Sequence, residues 1–237
     1  MTNSSSPRRW ARGIGLLYLI VIIGGGFAEA FVRQKLLVPG DAAATAANIL
    51  ANEELYRIGF VADLVPLLCN VALAILFYGL FKVVNKPVAA LAILFSLIGT
   101  AVQGAVLLLH LMPLMLLAPG PALSAIPVEQ LQALAYLSFR LQANGYNIAL
   151  AFFGCFGLCL GWLIFTAGFM PRILGVLMGI AGFCYFTNAM LGFLAPSFTS
   201  MLLLMPCLLG EGSLTLWLLF AGVDAAKWEA RAALAHA

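Results

Sequence analysis

The chain has 237 residues and a formal net charge of +3; 64% of its residues are hydrophobic, only 9% are charged, and the mean hydropathy is +1.07. An ordinary soluble domain carries roughly 25% charged residues, so there is too little polar surface here to cover a water-soluble globule. The small positive charge sits in short loops, which excludes a nucleic-acid face and points to an all-α polytopic membrane protein, with no charged or Ser/Pro-rich linker to divide residues 1–237 into two domains.

Six apolar segments follow in chain order, roughly 13–31, 58–81, 88–117, 131–165, 173–194 and 201–223. Each reaches the ~20 residues that cross a bilayer core. Backbone groups in hydrocarbon must be satisfied internally, so each is predicted to be a transmembrane helix. The first follows Arg8, Arg9 and Arg12 and ends at Ala28-Glu29-Ala30, a small-x-small pattern like a signal cleavage site. Its apolar run is long for such a signal, and a retained helix is expected. Gly24-Gly25-Gly26 within it would permit a bend.

The first loop between spans holds Pro39-Gly40-Asp41, a predicted turn in which Asp41 caps a short helix from Ala42 to Leu50. Ile49, Leu50 and Leu55 are expected to rest that interfacial helix on the membrane surface. Pro66, Pro113 and Pro206 free backbone carbonyls and predict kinks. The segment from Ala118 to Pro127 carries Pro119, Gly120 and Pro121 and reads as an irregular connector. The fourth apolar segment is too long for one upright crossing. A continuous helix from Val128 to Phe165 would run ~57 Å against a core of ~30 Å, so it must project, tilt or break. Phe77 to Phe81 before Lys86-Pro87 echoes Gly161 to Phe165 before Met170-Pro171, which suggests a parallel repeat of helices two and three by four and five.

Lys and Arg set the expected orientation. With the N-terminus inside, the inner segments hold Arg8, Arg9, Arg12, Lys82, Lys86, Arg172, Lys227 and Arg231, and the outer ones only Arg33, Lys35 and Arg57. Both termini are therefore expected in the cytoplasm.

Polar residues inside the spans are the candidates for function, because an unpaired charge in hydrocarbon costs several kcal/mol and such groups turn toward each other, water or a ligand. Asp63 and Asn70 lie seven apart in helix two; Ser96, Gln103 and His110 repeat at seven in helix three; Arg140, Asn144 and Asn147 follow one face of helix four, with Gln142 nearby. Seven residues nearly complete two turns, so each set forms a stripe, and packing the stripes inward is economical. With Glu29, Asn188 and Glu211, these residues are expected to meet in the outer half of the membrane. Asp63, His110, Arg140, Asn144, Asn147 and Glu211 are the candidate ligand-binding residues. Glu29, Asn70, Gln103 and Asn188 would support them or act as interhelical glue.

Cys69, Cys155, Cys159, Cys184 and Cys207 all fall in apolar runs and are expected as thiols, not as a disulfide framework. Besides His110 the sequence has only His236, near the terminus, so no multi-histidine metal centre is expected and no cofactor is implied. Gly157-xxx-Gly161 and Gly175-xxx-Gly179 allow close helix approach, within the chain or to a second copy.

Gly15-Leu16-Leu17-Tyr18-Leu19, then Val38-Pro39-Gly40-Asp41 through Asn48-Ile49, Arg57-Ile58-Gly59, Leu80 to Asn85, Phe153 to Phe165, Pro171 to Gly175, Gly210-Glu211 and Leu216 to Leu219 resemble the bacterial membrane family known as domain of unknown function 4386. The likeness spans nearly the whole chain. It implies a bacterial cytoplasmic-membrane protein of about six helices and carries over no activity, cofactor or catalytic residue.

Three functions stay open at this point. The leading one is binding, or transport, of a small polar or amphiphilic molecule, with Arg140 engaging an anionic group or pairing with Asp63, and with Glu211 and His110 setting charge. The second is a membrane-embedded enzyme acting on lipid or an outer-leaflet intermediate, with Asp63 or Glu211 as general base and His110 as general acid. The third is a scaffold or sensor subunit that uses the loop from Arg33 to Glu54.

Overall fold

A computed structural model describes residues 7–118 and 120–235; Pro119 and His236 lie outside the described residues. All regular elements among them are helical. In chain order they are α1 (Pro7–Leu36), α2 (Ala42–Ala51), α3 (Glu53–Phe81), α4 (Lys86–Leu117), α5 (Val128–Ala167), α6 (Arg172–Leu194), α7 (Met205–Phe220) and α8 (Ala225–Leu234). α1, α3, α4, α5 and α6 are each long and apolar enough to cross a membrane; α7 and α8, bent by 100° at their junction, pass the same test as a pair. The chain is thus a multi-pass helical membrane protein, as its composition requires.

The contacts divide the chain into two compact units, and the boundary passes through α1, α3, α4 and α5. The first unit holds residues 7–20, 69–100 and 147–235. Its tightest packing is glycine on backbone. A Cβ placed on Gly161 would lie 2.6 Å from the Gly179 nitrogen and 2.7 Å from the Gly175 carbonyl oxygen; one on Gly182 would lie 2.5 Å from the Leu158 nitrogen. The glycines of α5 and α6 are therefore used against each other within one chain. Gly179 lends its backbone to Gly161 but has open space where its own Cβ would be. α7 joins in the same manner, Gly210 meeting the Leu177 carbonyl of α6, and Gly15 of α1 meeting the backbone of α7 at Leu219.

Helix ends in this unit follow from backbone chemistry. Gly168 and Gly222 hold φ of +79° and +70° just after α5 and α7, a conformation that costs other residues a clash at Cβ. Trp217 Nε1 donates to the Gly222 carbonyl at 2.9 Å and fixes the bend. The sixth apolar segment is shorter than its composition suggested: Met201–Leu203 is a 3-10 turn, and the helix proper begins at Met205. Beyond the bend, a stretch given no structure by its sequence forms α8. Asp224 caps it by accepting from the Lys227 N–H at 3.2 Å, Trp228 Nε1 donates to the Leu80 carbonyl at 2.9 Å, and the Trp228 ring packs edge-on against Trp10 at 6.4 Å.

The second unit holds Val21–Leu68 and Ala101–Tyr146. α1 runs without a break through the three consecutive glycines. Gly24 lets α1 approach α3, where a Cβ would lie 2.7 Å from Pro66 and 2.9 Å from the Ala62 carbonyl. That carbonyl is the one Pro66 cannot bond, having no N–H. α1 widens later, into a π-helical turn over Ala28–Arg33. α4 breaks at Leu107, where the His110 N–H bonds back three residues to the Leu107 carbonyl. α5 runs unbroken for 40 residues, ~60 Å, so it projects or tilts and does not break.

The turn before α2 matches its sequence closely. The Asp41 N–H bonds the Val38 carbonyl at 3.1 Å, Gly40 holds φ of +82°, and the Gly40 N–H bonds the Tyr136 hydroxyl at 2.8 Å. Asp41 caps α2 by accepting from the Ala44 N–H at 2.8 Å. Asp41→Ala should lower thermal stability by about 1 kcal/mol, and Asp41→Asn by much less, in melting curves of the purified protein. The expected membrane-facing side of α2 needs correcting. Ile49 is buried with Val32, Leu36, Tyr56 and Phe139, and Leu55 packs on the same cluster, leaving Leu50 exposed. The chain itself covers that apolar face, which removes the reason for it to lie on lipid.

Candidate polar site

Polar side chains gather in both units. In the second unit, the π-helical turn of α1 carries Glu29 and Arg33. Arg33 Nε donates to Glu29 Oε2 at 2.7 Å, and Arg33 Nη1 donates to Asp63 Oδ2 of α3 at 2.6 Å. π-helical turns are rare and often sit at functional sites. One guanidinium thus serves two carboxylates, and the triad keeps one uncompensated negative charge. Its exposure is graded, with the side chains of Glu29, Arg33 and Asp63 at 47%, 23% and 8%.

His110 of α4 is fully buried next to this triad, with Nδ1 at 4.0 Å from Asp63 Oδ2. Its Nε2 faces the Tyr56 carbonyl at 3.0 Å, and a carbonyl only accepts, so Nε2 carries the hydrogen. The Tyr56 hydroxyl donates in return to the His110 carbonyl at 2.5 Å, and the two rings stack with centroids 4.2 Å apart. This reciprocal pair fixes α3 to α4. Among the described residues, His110 Nδ1 has no hydrogen-bond partner, and neither has Oε1 of buried Gln142 on α5.

The first unit holds a separate group. Tyr185 of α6 donates its hydroxyl to Glu211 Oε2 of α7 at 3.1 Å, and the buried Tyr18 of α1 neighbours the same carboxyl group. Cys207, one turn before Glu211, points its thiol at the Ala181 carbonyl at 3.4 Å. All five cysteines are free thiols. No ion pair reaches Glu211 among the described residues.

The remaining residues named from the sequence are placed as follows. Arg140 and Asn144 are exposed on α5, and Arg140 forms no ion pair or hydrogen bond among the described residues. The guanidinium at Asp63 belongs to Arg33, so the pairing of Asp63 with Arg140 is corrected: Arg33 lies on a helix that continues to Leu36, where a loop was expected. Asn147 fills the space at Gly192, its Nδ2 2.8 Å from where a Cβ would be, which is a packing role. Asn188 is buried, whereas Asn70 and Gln103 are partly buried; none of the three makes a side-chain hydrogen bond among the described residues. Asp63 and His110 come together with Glu29, while Glu211 belongs to the other group. No set of three or more His, Cys, Asp or Glu side chains is placed to hold a metal ion among the described residues.

Sequence reasoning missed Arg33 and the three tyrosines. The Glu29–Arg33 spacing of four, a helix-neighbour spacing, was the readable signal for the first. For Tyr18, Tyr56 and Tyr185 it was the phenol itself, which takes a hydrogen-bond partner when buried in an apolar helix.

Residues 14–222 match the family model described as domain of unknown function (DUF4386), in keeping with the resemblance of the Pro-Gly-Asp turn and its capped helix. No curated protein and no solved structure matches the chain. The family match runs from α1 to the glycine that ends α7, and the chain belongs to the DUF4386 family.

Proposed function

We propose that this is a multi-pass protein of the bacterial cytoplasmic membrane, both termini in the cytoplasm, which binds and moves a small polar or amphiphilic molecule at the Glu29–Arg33–Asp63 site. The excess of Lys and Arg on the segments that flank odd-numbered spans at their N-terminal ends supports that orientation. It sets the triad in the outer half of the membrane, at the late part of α1 and the early part of α3. One observation carries the reading: two carboxylates share one arginine in otherwise apolar helices, and the more exposed of them is half exposed. A structural ion pair needs one carboxylate per arginine, and a second one in apolar surroundings favours a partner that brings positive charge.

The test is ligand-dependent thermal stabilisation of the purified protein in detergent. A compound that raises the melting temperature of the parent should lose most of its effect in Asp63→Asn and in Glu29→Gln. Equal stabilisation of the parent and both variants by every active compound would reject the site.

A further inference from the structure

We infer that the ligand held by the triad is a cationic amine, an inference that rests on the binding role just proposed. The argument is a count of what each group has left to offer. Arg33 directs Nε and Nη1 at carboxylate oxygens, so its positive charge is already shared between the two acids, and only further N–H donors of the same group remain. Each carboxylate retains acceptor capacity, having about four lone-pair positions. With Nε2 donating to Tyr56, Nδ1 accepts when the ring is neutral, and it has no hydrogen-bond partner among the described residues. Gln142 Oε1, on the face of α5 shared with Phe139, is a second buried acceptor without a partner; Phe139 in turn packs on Tyr56 with ring centroids 5.9 Å apart.

Among the described residues, the fully buried side-chain atoms of this unit that lack a partner are both acceptors. A bound anion would meet a triad of net charge −1. A neutral acceptor would leave that charge uncompensated. A protonated primary amine offers three donors, no acceptor, and the positive charge the triad lacks. The surroundings define the rest of the molecule. Glu29 is half exposed on a helix that is otherwise apolar enough to cross a membrane, so an alkyl chain on the amine would stay in hydrocarbon while its head meets the carboxylates.

Three eight-carbon probes that differ only in the head group separate the alternatives: octylammonium, octanoate and octanol. Each is titrated against the full-length protein in detergent, with the melting temperature as readout. Octylammonium should stabilise saturably, and Glu29→Gln or Asp63→Asn should weaken its apparent affinity by about tenfold or more. Glu129→Gln, which removes a charge at an exposed position on α5, should leave the titration unchanged. Should Asp63→Asn fail to fold, Glu29→Gln carries the comparison alone, since Glu29 is half exposed. Saturable stabilisation by octanoate or octanol that depends on Glu29 would overturn the amine and leave the binding site standing. Absence of any Glu29-dependent response to all three would overturn the amine and the proposed site together.

Discussion

Gly182→Ala is expected to lower the stability of the purified protein by about 3 kcal/mol, the upper range for one added methyl group in a packed interior. The methyl group has nowhere to go. It would sit 2.5 Å from the Leu158 nitrogen and 2.7 Å from the Gly154 carbonyl oxygen, and both are helix backbone, which cannot rotate aside. Gly161→Ala should behave likewise, with its Cβ 2.6 Å from the Gly179 nitrogen. Gly179→Ala should do the reverse. Its Cβ would enter open space, and alanine is better than glycine inside a helix by up to about 1 kcal/mol. Intrinsic-fluorescence melting curves of the three variants give the answer directly. The ordering matters more than any single value: if Gly182→Ala and Gly179→Ala melt alike, α5 and α6 do not meet as described.

That contrast also shows what the amino-acid sequence can and cannot reveal. The glycine-xxx-glycine spacings announced a close approach, because only small residues let helix backbones touch. They did not reveal that Gly157 meets Gly182 and Gly161 meets the backbone of Gly175 and Gly179, while the Cβ position of Gly179 itself faces open space, since that depends on the rotation of α6 about its axis. The spans were legible for a comparable reason: hydrocarbon leaves helices as the economical solution for each apolar run. The cap at Asp41 was legible because a Pro-Gly-Asp turn and an N-cap are both local chemistry. Arg33 was not. A charged residue just past an apolar run reads as loop, and nothing local signals that a π-helical turn carries the helix on to Leu36. The polar stripes identified Asp63 and His110 as neighbours but supplied the wrong cation, because Arg140 matches the depth expected for Asp63 without sharing its surroundings. Ile49 and Leu55 were misread from the same cause: an apolar face on a short helix demands cover, and whether lipid or Phe139 supplies it is decided by distant parts of the chain.

Arg33→Ala is expected to be the most damaging single change in the second unit, at about 3–5 kcal/mol, because it strands Glu29 and Asp63 without their shared cation. The size reflects the charge left behind more than the bond removed, and this makes the effect reversible by design. Arg33→Ala combined with Asp63→Asn should recover a large part of the loss, since the neutral amide no longer needs a cation in a nearly buried position. Arg140→Ala should shift stability by no more than about 0.5 kcal/mol, as an exposed side chain with no ion pair among the described residues loses little on truncation. The measurement is a double-mutant cycle on melting temperature, run with Arg33→Ala, Asp63→Asn and the pair, and with Arg140→Ala in place of Arg33→Ala as the comparison. A strong coupling of Asp63 to Arg33 and none to Arg140 is the outcome required by the 2.6 Å contact. Coupling to Arg140 instead would mean that the arginine of α5, and not that of α1, neutralises Asp63, and the charge count on which the binding site rests would no longer hold.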